Sequence, residues 1–131
     1  MTTRTATCSC GQLRVAVEGE PARISVCHCL ECQKRTGSTY GVQARWPASQ
    51  AAVDGRSSRF VRTGDEGNVI TFHFCPDCGS TVYYGFDAIP DVVAIAVGNF
   101  ADPGFPAPRI SVYEDRKHAW VSVPEDAEHH H

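Results

Sequence analysis

The sequence has little net charge and no long apolar run, and each absence excludes a class of protein. Twelve Lys and Arg residues stand against fifteen Asp and Glu residues, for a formal net charge of −3, so the basic excess of nucleic-acid-binding proteins is missing. No apolar stretch approaches the roughly 20 residues that cross a bilayer, and residues 1–7 lack the apolar segment of a secretory signal. We therefore expect a cytoplasmic protein with no nucleic-acid partner and no membrane partner.

Helical periodicity is also weak, and the content of glycine and proline favours a mainly β fold. Eleven Gly and eight Pro residues separate short segments in which apolar and polar residues alternate, as in strands with one buried face. Two other segments, residues 31–37 and 114–120, favour short helices. The predicted strands are residues 13–17, 24–27, 40–46, 60–62, 69–74, 81–84, 92–97 and 109–113.

The length of 131 residues and the hydrophobic content of 42% predict one folded domain. We place that domain at residues 1–128. The terminal His129–His131 follow Glu128 and are interpreted as the remnant of a purification tag. The sequence leaves a monomer and a homodimer equally open.

Seven cysteines are many for this length, and they fit either disulfides or metal ligands. The odd count and the expected reducing compartment disfavour a disulfide framework. The spacing of the cysteines then favours metal binding, because they fall into two close pairs and one close trio.

Each of the two pairs is followed by a glycine. In a metal-binding knuckle, backbone N–H groups turn toward the sulfurs, and the residue after the second cysteine often needs a positive φ, which glycine adopts without steric cost. Two such knuckles make a tetrahedral four-sulfur site that suits zinc. We predict a structural zinc site formed by Cys8, Cys10, Cys75 and Cys78.

The trio Cys27, Cys29 and Cys32 predicts a second zinc site with a different role. Three protein ligands leave a fourth position for water or substrate, as catalytic zinc sites do. The alternative is a second closed site, in which a histidine supplies the fourth ligand. The candidates for that ligand are His28, His73 and His118.

Lys34 and Arg35 directly follow the trio. A solvent-exposed turn is the simplest interpretation of two such residues. Beside a negatively charged zinc trithiolate they would also offset charge or hold the carboxylates of a thiol substrate. Both residues are therefore candidate substrate-binding residues.

Three cysteine motifs and one later stretch together carry a resemblance to a known family. They are Cys8-x-Cys10-Gly11, then Cys27-His28-Cys29-x-x-Cys32-Gln33-x-x-Thr36-Gly37-Ser38, then Phe74-Cys75-x-x-Cys78-Gly79-Ser80, and finally Val97-Gly98-Asn99-Phe100-x-Asp102-Pro103 with a closing Trp120. The sequence resembles the glutathione-dependent formaldehyde-activating enzymes, a family that includes the centromere protein V relatives. One departure is His73, at a place where many relatives have an arginine.

The resemblance implies a β-tent fold of several small antiparallel sheets built around zinc knuckles. It also implies two zinc ions, with the partition of four and three cysteines described above. The implied activity is that of a carbon–sulfur lyase of the S-(hydroxymethyl)glutathione synthase type, with glutathione and a small aldehyde as its partners.

Two other functions compete with a zinc enzyme that adds a thiol to formaldehyde or another small aldehyde. The first is a zinc-stabilised binding module without turnover, which the centromere-type relatives suggest. The second is thiol redox chemistry at one cysteine of the trio. The number of bound zinc ions, and their response to glutathione, distinguishes the three.

Overall fold

The computed structural model describes residues 2–131 and confirms a mainly β architecture. The helix α1 covers Leu30–Thr36, close to the predicted helical turn. No helix in the described residues is long and apolar enough to cross a membrane. The strands are β1 (Thr3–Thr7), β2 (Arg14–Glu18), β3 (Arg23–Cys27), β4 (Gly41–Pro47), β5 (Ala51–Asp54), β6 (Ser58–Thr63), β7 (Val69–Phe74), β8 (Thr81–Phe86), β9 (Val92–Ala96), β10 (Ile110–Val112) and β11 (Glu128–His129).

The strands form two sheets. The smaller sheet is antiparallel and has the order β1-β2-β5. The larger sheet has eight strands in the order β11-β10-β3-β4-β9-β8-β7-β6. It is antiparallel except at one edge, where β10 lies parallel to β3 and to β11.

The main core lies between the two sheets because both present an apolar face to it. Val15 and Val17 alternate with exposed or half-buried residues along β2 and are fully buried. From the larger sheet, Trp46 and Ile95 are fully buried against them. The indole N–H of Trp46 donates to the carbonyl of Gly19 at 3.0 Å, so burying this ring leaves no unpaired donor.

The opposite face of the larger sheet is uncovered in part and carries a different set of side chains. Because side chains alternate along a strand, β3 presents Arg23 and Cys27 to this face, and β4 presents Arg45. On β7 and β8 the same face carries Phe72 and Tyr84, which are directly paired across the two strands. This face is the floor of a cleft described below.

The predicted helix at residues 114–120 is wrong. The structure has a 3₁₀ turn over Glu114–Arg116, and Lys117 is already extended at φ −67° and ψ 133°. The carbonyl of Arg116 accepts a hydrogen bond from the side chain of Gln33 at 3.2 Å, so the end of this turn is held by a residue of α1 rather than by a following helical turn.

Three strands were not predicted: β1, β5 and β11. β1 is a threonine-rich strand with a single fully buried side chain, Ala6, so its alternation carries little apolar signal. β11 includes His129, whose Nδ1 lies 2.7 Å from Oε2 of Glu114. The division into one domain over residues 1–128 and a tag remnant over residues 129–131 stays a prediction, and its first residue, Met1, lies outside the described residues.

Candidate metal centres and active-site cleft

The first cysteine cluster joins two hairpin loops that belong to different sheets. Cys8 and Cys10 lie between β1 and β2, and Cys75 and Cys78 lie between β7 and β8. All four sulfurs lie within 4.8 Å of one another. A metal bound here would therefore join the small sheet to the large one.

The sulfur spacing tests whether this donor set fits zinc. The Sγ atoms of Cys8 and Cys10 are 3.6 Å apart, and those of Cys10 and Cys75 are 3.7 Å apart. A tetrahedral ion with Zn–S bonds of about 2.3 Å needs sulfurs about 3.8 Å apart. The four thiols therefore fit a tetrahedral zinc ion.

The backbone of both loops has the predicted knuckle conformation. Gly11 and Gly79 have φ values of 86° and 84°, which only glycine adopts without steric cost. The N–H of Leu13 donates to the sulfur of Cys8 at 3.3 Å, and the N–H of Asp77 donates to that of Cys75 at 3.4 Å. These donors favour thiolates, the form in which cysteine binds metal.

The exposed Cys78 shows the same effect in its pKa. The backbone N–H of Ser80, followed by that of Cys10, lowers the pKa of the Cys78 thiol to about 5. The two loops also contact each other directly through the Ser9 and Ser80 hydroxyls, which are 3.0 Å apart. The two loops of the four-thiol cluster, or closed cluster, are thus joined by hydrogen bonds in addition to the contacts between their sulfurs.

Sequence reasoning missed Gln12, which supports this cluster from outside. Its Nε2 donates to the sulfur of Cys75 at 2.9 Å and to the carbonyl of Arg56 at 2.8 Å. Its Oε1 accepts from the N–H of Arg56 at 3.0 Å. The only sequence signal was its place one residue after the knuckle glycine.

The second cluster is built from one continuous stretch of chain. Cys27 is the last residue of β3, Cys29 is the N-cap of α1, and Cys32 lies in the first turn of that helix. The three sulfurs lie within 4.8 Å of one another. The donor set of three thiols suits zinc, and the predicted grouping of the seven cysteines by position is what the structure shows.

The pKa of Cys29 lies well below its usual value. The thiols of Cys27 and Cys32 donate to its sulfur, and the N–H of Cys32 adds a further hydrogen bond at 3.3 Å. The same interactions raise the pKa of Cys27. The hydrogen bonds thus favour the thiolate form at Cys29.

None of the three candidate histidines belongs to the trio. His28 is fully buried, and its Nε2 lies 3.0 Å from the hydroxyl of Ser111. Nε2 of His118 lies 3.0 Å from Oε1 of Gln33. His73 stacks on Tyr83 with ring centroids 4.3 Å apart. In the described residues no histidine joins the three sulfurs, and the open three-ligand zinc site stays a prediction.

Gln33 is a second residue that sequence reasoning left without a role. Its Nε2 donates to the carbonyl of His28 at 2.8 Å and to that of Arg116 at 3.2 Å. With the contact to His118, this one side chain joins the cysteine loop to the segment that follows β10. It fixes the backbone on which the trio is mounted.

The trio lies in a cleft of about 740 Å³ that the larger sheet, α1 and the β6–β7 loop enclose. Half of the chain's twelve Lys and Arg residues line this cleft, whereas only three of its fifteen Asp and Glu residues do. The cleft is therefore basic in a chain that is acidic overall. The basic residues are Arg23, Lys34, Arg35, Arg45, Arg62 and Arg116, and the acidic ones are Glu31, Asp65 and Glu66.

Aromatic rings hold the arginines on the cleft floor. The guanidinium of Arg35 lies 5.1 Å from the ring centres of both Phe72 and Tyr84, and that of Arg62 lies 5.2 Å from Phe72. Stacking of this kind fixes a guanidinium without neutralising it. Neither arginine forms an ion pair in the described part of the chain, so their charge is available to a ligand.

The two predicted substrate-binding residues differ in their surroundings, although both line the cleft. Lys34 is mostly exposed and pairs with Glu31 at 3.4 Å. Arg35 is half-buried, and its positive charge acts on Cys32. Their role in holding a thiol substrate stays a prediction, and the surroundings favour Arg35 for it.

These features define a mainly β protein with one four-thiol cluster and one three-thiol cluster at the floor of a basic cleft. The model of the family described as glutathione-dependent formaldehyde-activating enzyme matches residues 3–116. The chain belongs to this family, as its cysteine motifs indicated. Membership implies an enzyme that acts on formaldehyde with glutathione.

A solved structure supports the fold independently. The chain is similar to a protein of Rhodobacter sphaeroides from a structural genomics programme, with 21% identity and a TM-score of 0.58. The match covers 78% of this chain and 90% of that one. At this level of identity the similarity concerns the fold alone.

Proposed function

We propose that this chain is a zinc-dependent carbon–sulfur lyase of the S-(hydroxymethyl)glutathione synthase type. It adds a thiol such as glutathione to formaldehyde or another small aldehyde. The observation that carries the proposal is the convergence of three cysteine sulfurs, without a fourth protein ligand in residues 2–131, at the floor of a basic cleft.

The reaction joins two molecules without a change in redox state. The sulfur of R–SH attacks the carbonyl carbon, the C–S bond forms and the carbonyl π bond breaks. The thiol proton ends on the former carbonyl oxygen, which gives R–S–CH₂OH. The addition needs no oxidant or reductant.

Zinc held by Cys27, Cys29 and Cys32 would supply a Lewis acid and would lower the pKa of a thiol at the open position. The rest of the site positions the reactants. The cations of Arg35 and Arg62 act on Cys32 and Cys29 and offset the negative charge of the thiolates. Holding thiol and aldehyde together in one cleft adds the advantage of proximity.

A substitution in the trio tests this proposal. Cys29→Ser should abolish catalysed adduct formation, measured by NMR exchange between free and thiol-bound formaldehyde. The circular dichroism spectrum should stay that of the wild type, and the zinc content should fall from two ions to one. Wild-type exchange no faster than in buffer would contradict the proposed reaction.

Zinc stoichiometry distinguishes the other functions. Two tightly held ions that do not respond to glutathione would favour a binding module without turnover. One ion with a rapidly alkylated thiol in the trio would favour redox chemistry. A second ion whose coordination changes with glutathione supports the enzyme.

The proposed setting is the cytoplasm, where reducing conditions keep all seven thiols available as ligands. The structure shows these cysteines as free thiols. A monomer and a homodimer are both compatible with the proposed reaction, because the trio and the cleft are formed within one chain.

A further inference from the structure

Two arginines of the cleft face each other at its far end, away from the trio. Arg23 on β3 and Arg45 on β4 are direct cross-strand partners. Their side chains share the cleft face of the sheet, and both are half-buried. Like charges directly opposite in a sheet destabilise it, so the pair needs a compensating feature.

The described residues contain no acidic partner for this pair. Neither arginine takes part in an ion pair in residues 2–131, and Nε of Arg23 is buried without a hydrogen-bond partner. Burial, followed by repulsion from Arg23, lowers the pKa of Arg45. The fold therefore keeps two cations together at a cost, and an anion between them would remove that cost.

Arg45 is also held in a fixed orientation. Its guanidinium lies 4.7 Å from the ring centre of Phe86, and its Nε donates to Oε1 of Gln43 at 3.0 Å. Because the face of the guanidinium lies on a ring and its Nε already donates a hydrogen bond, its two terminal nitrogens remain as donors. Such a fork matches the two oxygens of a carboxylate.

The distance between the arginine pair and the trio limits which molecule can carry the anion. Arg23 and Cys27 are the two ends of β3, so their Cα atoms are about 13 Å apart at about 3.3 Å per residue. An extended tripeptide is about 10 Å long. When its sulfur is carried by the central residue, a terminal carboxylate lies about 7 Å from that sulfur, so a peptide-like thiol bound at the trio reaches the pair only where the arginine side chains span the remaining distance.

We propose that Arg23 and Arg45 form a carboxylate clamp that selects an acidic, peptide-like thiol as the substrate. This inference rests on the proposed function for the position of the sulfur. Lys34 and Arg35 follow Cys32 on α1 and line the same cleft. The clamp thus adds a second anchoring point and excludes thiols that lack a distant carboxylate.

The test measures binding apart from reaction. S-methylglutathione has no free thiol and cannot form the adduct, and its diethyl ester lacks both carboxylate charges. Zinc-loaded wild-type protein should bind the acid at least about tenfold more tightly than the diester, as expected of a charge-assisted contact. Calorimetry in low salt measures both, and added salt should reduce the difference.

Variants then locate the effect. Arg23→Gln and Arg45→Gln should each reduce the affinity for S-methylglutathione about tenfold and change that for the diester less than twofold. Arg45→Lys, which keeps the charge, should retain part of the preference. The matched control is Arg14→Gln, which removes an exposed arginine from the other sheet and should leave both affinities unchanged.

A second readout separates the clamp from a structural role. Arg23→Gln removes one of two repelling cations that has no partner in the described residues, so the melting temperature without ligand should stay equal or rise. A lower melting temperature together with an unchanged ratio of acid to diester affinity would overturn the proposal. Equal binding of acid and diester by the wild type would also overturn it.

The clamp and the reaction fail in different ways. If the wild type prefers the acid through Arg23 and Arg45 but does not accelerate adduct formation, the clamp stands and the proposed reaction is wrong. If adduct formation is accelerated and Arg23→Gln leaves KM for glutathione unchanged, the reaction stands and the clamp is wrong.

Discussion

The two cysteine clusters use the same ligand atom and differ in how the chain reaches them. The four-thiol cluster joins two loops whose cysteines Cys10 and Cys75 are 65 residues apart, and it connects two sheets. The three-thiol cluster lies within Cys27–Cys32, a six-residue stretch, and opens into a cleft. The comparison leads us to propose that the long-range cluster supports the fold, whereas the local cluster beside the cleft supports the chemistry.

Loss of a ligand in the closed cluster should have the largest effect. Structural zinc contributes about 10–16 kcal/mol in small zinc domains, comparable to the whole stability of about 5–15 kcal/mol of a typical domain. Cys75→Ser should therefore leave the chain largely unfolded, as judged by near-UV circular dichroism. A folded Cys75→Ser variant that keeps two zinc ions would remove the distinction between the clusters.

Graded chelation should separate the clusters in one sample. A three-ligand site that shares its ion with solvent should lose it to a weaker chelator than the closed site does. We expect the first zinc to leave with loss of adduct formation and an unchanged circular dichroism spectrum, and the second to leave with unfolding. Simultaneous loss of both ions would contradict this order.

The two glutamines offer a matched pair of smaller substitutions. Gln12→Ala removes the 2.9 Å hydrogen bond to Cys75 and should lower the free energy of unfolding by about 1–3 kcal/mol. It should change the kcat of folded protein less than twofold. Urea unfolding with metal present measures the first effect, and NMR exchange measures the second.

Gln33→Ala should give the opposite pattern. It removes the hydrogen bond to the carbonyl of His28 and the contact to His118. The trio should therefore bind zinc more weakly. We expect kcat/KM to fall about 10- to 100-fold, as is usual when support of a metal ligand is lost. The melting temperature should change less than it does in Gln12→Ala. Equal stability losses in both variants would show that Gln33 only supports packing.

The smallest predicted effect is that of Gly79→Ala. A Cβ at this position meets no atom within 4 Å, but the φ of 84° is strained for alanine, which costs about 1–2 kcal/mol. We expect a reduced melting temperature with two zinc ions still bound. Gly79→Asn should be milder, because asparagine tolerates positive φ better than alanine does.

The partition of cysteines could be predicted from the sequence because it depends on local spacing and on the glycines at positions 11 and 79. The roles of Gln12 and Gln33 could not, because their partners Cys75, Arg116 and His118 lie 63 to 85 residues away. The clamp required strand register, since only the pairing of β3 with β4 places Arg23 opposite Arg45.

The same limit explains the missed strands. β1 has one fully buried side chain and depends on its pairing with β2 for its place. β5 is mostly exposed and pairs only at the edge of the smaller sheet. Whether such segments form strands depends on tertiary pairing, which the local alternation of apolar and polar residues does not reveal.

The wide sequence separation within the closed cluster sets an order of events during synthesis. Ribosomes release the chain from its N-terminus, so the trio emerges complete long before Cys78 does. The two hairpin loops can meet only after the chain up to Cys78 has emerged, which requires closing a long loop. A nascent chain that binds a zinc ion early would therefore bind it at the trio first. The two sheets would be joined at the four-thiol cluster only after the second loop has emerged.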